Sequence, residues 1–183
     1  MNIWTKLAEF AVIDTERLRL RPFSYQDAED FYAIASNPKN LEFIFPSQAS
    51  MEESQYVLAN YFMRSPLGVW AICDKESQRM IGSIKFEKLD EIKKEAELGY
   101  FLKKDHWGKG LMTECVSAIS LLSVHQFGMK KLSIVTHQEN VASQRVALKA
   151  GFKMFRQFKG SDRYTRKMRD YIEFRYERGD DYE

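Results

Sequence analysis

The sequence predicts an α+β domain built on a mixed, mostly antiparallel sheet, and three observations carry that prediction. Short runs alternate apolar and polar residues near 17–21, 69–73, 80–89, 96–102, 152–158 and 171–176, the period of half-buried strands. Two stretches, 111–127 and 141–150, instead place apolar residues at helical spacing. Their order sets one strand–helix–strand unit, 96–135, among strands joined by tight turns. Such a unit gives a right-handed parallel crossover within an otherwise antiparallel sheet.

Each element follows from its residues. Leu18 and Leu20 alternate with Arg17, Arg19 and Arg21, a first strand that stops at Pro22. Ser24, with Asp27 three residues on, caps a helix whose apolar stripe is Phe31, Ile34 and Ala35. A loop at 37–40 and the cluster Phe43, Ile44, Phe45 lead to Ser50, which caps a second helix with Glu52 and Glu53 in its first turn. Tyr56, Val57, Asn60 and Tyr61 lie along it, and the aromatic group Phe43, Phe45, Tyr56, Tyr61 and Trp70 is expected as core and pocket wall. The runs 69–73 and 80–89 flank a turn at 74–78 and read as a hairpin, with 96–102 as the next strand. Leu111, Cys115, Ala118, Ile119 and Leu122 form the stripe of the long helix. A short strand at 132–135 follows, then a helix ended by Gly151, then two closing strands.

Composition excludes several classes. A length of 183 residues suits a single domain with a proper core, and 44% hydrophobic with 30% charged residues is ordinary for a globular protein. A net charge of +2 gives no global field to attract nucleic acid. Charges interrupt every apolar run, so no membrane span is expected, and residues 1–10 do not read as a secretory signal. Cys73 and Cys115 lack metal-ligand spacing and sit among apolar residues, so they are expected as buried structural thiols of a cytoplasmic protein. His106, His125 and His137 share no metal-like spacing either. The basic residues Lys159, Arg163, Arg166, Lys167 and Arg169 read as the solvated face of a hairpin.

The segment from Asp105 to Glu114 is the most informative. Gly108 and Gly110 stand one residue apart between a strand-like run and a helix, where they let the backbone turn tightly and aim successive N–H groups outward. The orphan N–H groups and positive dipole end of the helix fall at the same place. That combination binds phosphate and points to a nucleotide-derived ligand.

The Trp107-Gly108-Lys109-Gly110-Leu111-Met112 turn, the element order and the segment from Asn140 through Ser143, Arg145 and Gly151 to Phe152 resemble the GNAT superfamily of acetyl-CoA-dependent N-acetyltransferases. The pattern Thr15-Glu16-Arg17-Leu18-Arg19-Leu20-Arg21-Pro22 and the strand Glu97-Leu98-Gly99-Tyr100-Phe101-Leu102 resemble its RimJ/RimL-type branch, named for enzymes that acetylate the N-terminal amine of ribosomal proteins. The resemblance implies a GNAT-like fold of about seven strands. In that fold the fourth and fifth strands are parallel and splayed, and helices cover both faces. It further implies one N-acetyltransferase domain over 1–183, with its core at 14–176 and an N-terminal extension at 1–13. There are departures. Trp107 stands where the family's turn usually has Gln or Arg, Met112 stands at its last small position beside the expected pyrophosphate, and Ala147 stands where many members carry a general-acid tyrosine.

By that resemblance the co-substrate is acetyl-CoA, with no metal. The backbone of Tyr100, Phe101 and Leu102 pairs with the pantetheine arm, and a Phe101 or Leu102 N–H meets the oxyanion. Trp107, Gly108, Lys109, Gly110, Leu111, Met112 and Thr113 hold the diphosphate, and Asn140, Ser143 and Arg145 are further contacts. A free amine is protonated at neutral pH, so attack requires a base. Glu97, on the strand near the splay, is the candidate, while Ser143 or a water is the candidate proton donor to the thiolate. The acceptor is a protein N-terminus or a small amine, and the enzyme a monomer or homodimer. The alternative is a CoA-binding sensor of the same fold without turnover.

Overall fold

The computed structural model describes residues 2–41 and 43–179. It has an eight-stranded mixed sheet of order β1-β2-β3-β4-β5-β6-β8-β7, one strand more than the sequence reading gave. Backbone packing divides the chain into two compact units, Met1–Lys85 with Tyr100–Leu111 and Phe86–Gly99 with Met112–Glu183. Among the described residues no helix is long and apolar enough to cross a membrane.

The first unit begins with ordered elements at the expected N-terminal extension. Helix α1 (Ile3–Glu9) is capped by Asn2, whose side chain accepts the Trp4 N–H, and it buries only Leu7. One buried position in seven residues is too faint a periodic signal to read. Strand β1 (Ile13–Asp14) pairs with β2 (Leu18–Arg21), which pairs with β3 (Val69–Asp74). Trp70 on β3 is buried and donates through Nε1 to the Phe10 carbonyl at 3.2 Å, which fixes the end of α1 against that face. The alternate residues Ala71 and Cys73 pack with Phe31 and Ile34 of α2 (Ala28–Ala35), so helices cover both faces of β3.

Ser24 and Asp27 form the expected capping box. Asp27 is buried, and its carboxylate accepts from the Ser24 N–H and from both Arg21 Nη atoms, so the buried charge is fully engaged. Helix α3 (Met51–Val57), capped by Ser50, continues as a π-helical segment over Leu58–Met63. Within that segment Leu58 and Phe62 turn inward, while Tyr56 before it and Tyr61 inside it are 61% and 63% exposed. Those two tyrosines are therefore not core, contrary to expectation. Phe62 instead joins Phe23, Phe31, Phe45 and Phe101 in tilted and edge-on ring contacts.

Strand β4 (Met80–Asp90) forms a hairpin with β3 and adjoins β5 (Glu95–Leu102). In the second unit, α4 (Leu111–His125) buries Cys115 and Ile119 as read, but Ala118 and Leu122 only in part. Val116, Ser120, Ser123 and Val124 are buried as well, so α4 is covered more broadly than one stripe. The Ser120 and Ser123 hydroxyls donate to carbonyls four residues back, which lets polar residues occupy apolar ground. Strand β6 (Lys131–His137) is parallel to β5 and antiparallel to β8 (Met168–Glu177). Helix α5 (Val141–Lys149) ends where Gly151 takes φ +90° and Phe152 N–H reaches the Ala147 carbonyl. Strand β7 (Lys153–Ser161) forms a largely exposed edge against β8. Both cysteines are free and buried.

Candidate active site

Strand β5 outruns its parallel ladder. Pairing with β6 couples Glu95 to Lys131, Ala96 to Leu132 and Glu97 to Ser133, and β5 then continues to Leu102. Phe101 and Leu102 are buried and Tyr100 is half-buried. Beneath them Gly82 of β4 lies so close that a Cβ there would collide with the Phe101 carbonyl and stand 3.1 Å from Leu102 Cα. Lys103 N–H donates to the Ile81 carbonyl at 2.7 Å. The end of β5 is thus fixed from the β4 side.

The glycine turn follows within the same unit. After a short 3-10 turn at Lys104–His106, Gly108 and Gly110 both take φ +75°. Side chains with a Cβ resist this conformation, whereas glycine adopts it freely. Trp107 Nε1 donates to the Leu102 carbonyl at 2.7 Å, so the residue in the family's Gln/Arg position ties the turn back to β5. Arg17 Nη1 donates to the Lys109 carbonyl at 2.8 Å, and its Nη2 lies 3.6 Å from where a Gly110 Cβ would stand. In the sequence Arg17 stands out only as part of a strand motif. Its bracing role spans 92 residues of chain, and no local pattern could announce it. A Cβ on Gly108 would meet nothing within 4 Å, so the turn's backbone is approachable and the glycine serves φ alone. Leu111 and Met112 are each 6% exposed. The Met112 side chain therefore enters the core, which corrects the expectation of a bulky group beside the phosphates.

In the second unit, Glu97 keeps 18% of its side chain exposed and pairs with Lys88 Nζ at 3.0 Å. Asn140 caps α5, its Oδ1 accepting the Ser143 N–H at 3.2 Å, and Ser143 is half-buried. Arg145 is exposed, and Ala147 is fully buried, with neither the room nor the chemistry to donate a proton. His137 packs on Tyr171 in a tilted arrangement with ring centres 4.8 Å apart and lies 3.5 Å from Asp162, a packing role. Burial pushes the Cys115 thiol far above its ordinary range, and burial likewise raises Cys73 despite Arg21 nearby. Among the described residues no group of His, Cys, Asp and Glu could hold a metal.

The family model described as an acetyltransferase (GNAT) domain matches residues 17–153. The chain belongs to the GNAT acetyltransferase family. It is therefore an acyltransferase of the kind that draws on acetyl-CoA. It is 29% identical over 147 residues to the uncharacterized N-acetyltransferase YoaA of Bacillus subtilis (strain 168), covering 78% of this chain and 83% of that one. It is also 29% identical over 77 residues to the ribosomal-protein-serine acetyltransferase of Escherichia coli (strain K12), 42% and 43% of the two chains. That relative agrees with the RimJ/RimL-type resemblance. A solved spermidine N-acetyltransferase from Vibrio cholerae, in complex with CoA and spermine, superposes with a TM-score of 0.76 at 14% identity, covering 92% of this chain and all of that one. That likeness carries the GNAT fold.

Proposed function

We propose that this GNAT protein, acting as one N-acetyltransferase domain in the cytoplasm, moves the acetyl group of acetyl-CoA to a primary amine by direct attack in a ternary complex. The observation that carries the reading is the turn at 107–111. Two left-handed glycines, the first opening onto accessible space and the second flanked by Arg17, stand immediately before a helix N-terminus, after a strand that outruns its ladder. The two free buried cysteines agree with a reducing compartment.

In this reading the backbone of Trp107 to Thr113 holds the diphosphate, with charge from Lys109, and the strand end at Tyr100 to Leu102 aligns the thioester. Asn140, Ser143 and Arg145 supply further contacts to the co-substrate. The amine nitrogen attacks the thioester carbonyl carbon, and a backbone N–H of Phe101 or Leu102 receives the developing oxyanion, a donor worth about 3 kcal/mol in such a role. Glu97 accepts the proton that the amine loses, directly or through a water. The C–S bond breaks, and the thiolate takes its proton from water or from the Ser143 hydroxyl, which regains one from solvent.

Release of free thiol from acetyl-CoA, measured across a panel of amines, tests the proposal. Amine-dependent release is expected, with Glu97→Gln lowering kcat by about 10²–10⁴-fold and reshaping its pH profile. CoA binding without any amine-dependent release would mark the chain as a sensor. An unaltered pH profile in Glu97→Gln would remove that residue as base.

A further inference from the structure

Within the second unit, Glu97 belongs to an alternating charge network. Glu97 and Gly99 fall on one face of β5, since side chains alternate along a strand. Glu87 of β4 reaches across the same face, and its Oε1 lies 2.7 Å from where a Gly99 Cβ would stand. The missing side chain at Gly99 makes the room that Glu87 fills. Arg163 lies in the segment joining β7 to β8, with its Nη2 3.6 Å from Glu87 Oε2. That segment is built rather than loose. The Asp162 carboxylate accepts from the Tyr164 and Thr165 N–H groups, and Asp162 N–H closes onto the Lys167 carbonyl. Partial burial works against the Arg163 charge, and Glu87, Tyr164 and Glu97 together more than restore it, so both carboxylates act on this guanidinium.

The asymmetry of exposure decides what the network can do. Glu87 and Glu97 are only 24% and 18% exposed, while their partners Arg163 and Lys88 are 58% and 68% exposed. Half-buried carboxylates on paired strands stay in place and need compensating charge. Exposed pairs with long cationic side chains hold weakly and exchange readily.

We propose that Glu87 and Arg163 determine the acceptor class of the proposed acetyl transfer, selecting amines that carry a second cationic group. The reacting amine gives its proton to Glu97. The second ammonium takes the place of Arg163 on Glu87, roughly 7 Å away along two strand residues. A monoamine leaves Arg163 seated and gains nothing there, so discrimination comes from the exchange of one cation for another. No bond forms or breaks at Glu87. This inference rests on the acetyl-transfer reading above and narrows its acceptor.

Steady-state thiol release with putrescine and with butylamine tests it, together with calorimetric titration of putrescine into the enzyme without acetyl-CoA. A kcat/KM for putrescine at least about tenfold above that for butylamine is expected. Glu87→Gln should raise the putrescine KM far more than the butylamine KM and weaken calorimetric binding by a similar factor. Arg163→Gln, at an exposed position, should lower the putrescine KM by removing the resident cation. Equal kcat/KM values, a Glu87→Gln effect shared by both amines, or a higher putrescine KM in Arg163→Gln would each overturn the proposal. If neither amine releases thiol while another amine of the panel does, this inference is overturned and the acetyl-transfer reading stands. If no amine of the panel does, the acetyl-transfer reading fails and calorimetry decides the cation exchange alone. Glu87-dependent putrescine binding sustains the cation exchange, and no binding ends it.

Discussion

Substituting Gly82 by alanine probes both the fold and the proposed thioester site. The new methyl group would collide with the Phe101 carbonyl oxygen and lie 3.1 Å from Leu102 Cα, and both are backbone atoms. Leu102 Cδ1 at 3.2 Å can swing aside, but the two backbone atoms can retreat only if β4 and β5 separate. Overpacking of this kind costs about 1–3 kcal/mol. Because relief requires moving main chain, the upper half of that range applies, roughly 2–3 kcal/mol. Alanine returns about 0.5–1 kcal/mol by restricting the unfolded chain. The net loss is about 1–2.5 kcal/mol, and for a chain of 183 residues this lowers Tm by about 2–10 °C. Calorimetric unfolding measures the first effect and CoA titration the second, since the displaced atoms belong to the strand end proposed to align the thioester. A Tm equal to or above that of the unaltered protein would refute the steric argument. A lowered Tm with unchanged CoA affinity would refute the use of the Phe101–Leu102 backbone by the co-substrate.

Further outcomes are expected elsewhere. Gly110→Val forces a β-branched residue to φ +75° in the turn, a strain of about 1–3 kcal/mol, so CoA affinity measured by titration should fall by about 5- to 150-fold. Trp107→Phe removes the Nε1 donor to the Leu102 carbonyl while keeping an aromatic ring, so CoA binding should weaken by a few-fold with little change in Tm. With their thiols raised by burial, Cys73 and Cys115 should resist a thiol reagent at neutral pH in the native protein and both react after unfolding in urea. The Thr165 and Tyr164 N–H groups, with a lesser contribution from His137, hold the Asp162 carboxyl below the ordinary carboxylate range. A carboxyl depressed in the folded state adds stability above its unfolded value, about 3.9. That contribution is lost as the pH falls through the lower, folded value. Hydrogen exchange at Tyr164 and Thr165 should accelerate over that acid range and be insensitive to it in Asp162→Asn.

Much of the fold was legible because its signals are local. Leu18 and Leu20, the Ser24–Asp27 box, the Ser50 cap, Asn140 and the terminating Gly151 act within a few residues of themselves, and each stands where the periodicity placed it. Helix α1 was not legible, because a single buried leucine in seven residues leaves no amphipathic stripe. Tyr56 and Tyr61 misled for the opposite reason. Their aromatic bulk suggests burial, but Leu58 and Phe62 take the inward face of that stretch instead. Of the candidate site, the glycine turn was readable down to the residue. Met112 was misjudged because only packing reveals which way a side chain at a helix start turns.

The chain's local chemistry by itself determined the order of elements from β2 to β8, the glycine turn and its place after β5, since caps, glycine conformations and hydrophobic periods need no distant partner. Only the tertiary structure decided that Arg17 braces Lys109, that Gly82 admits the Phe101 carbonyl, and that Glu87 fills the space above Gly99 and meets Arg163. Those contacts join residues far apart in the chain, and their energy exists only once sheet register brings the partners within a few ångströms.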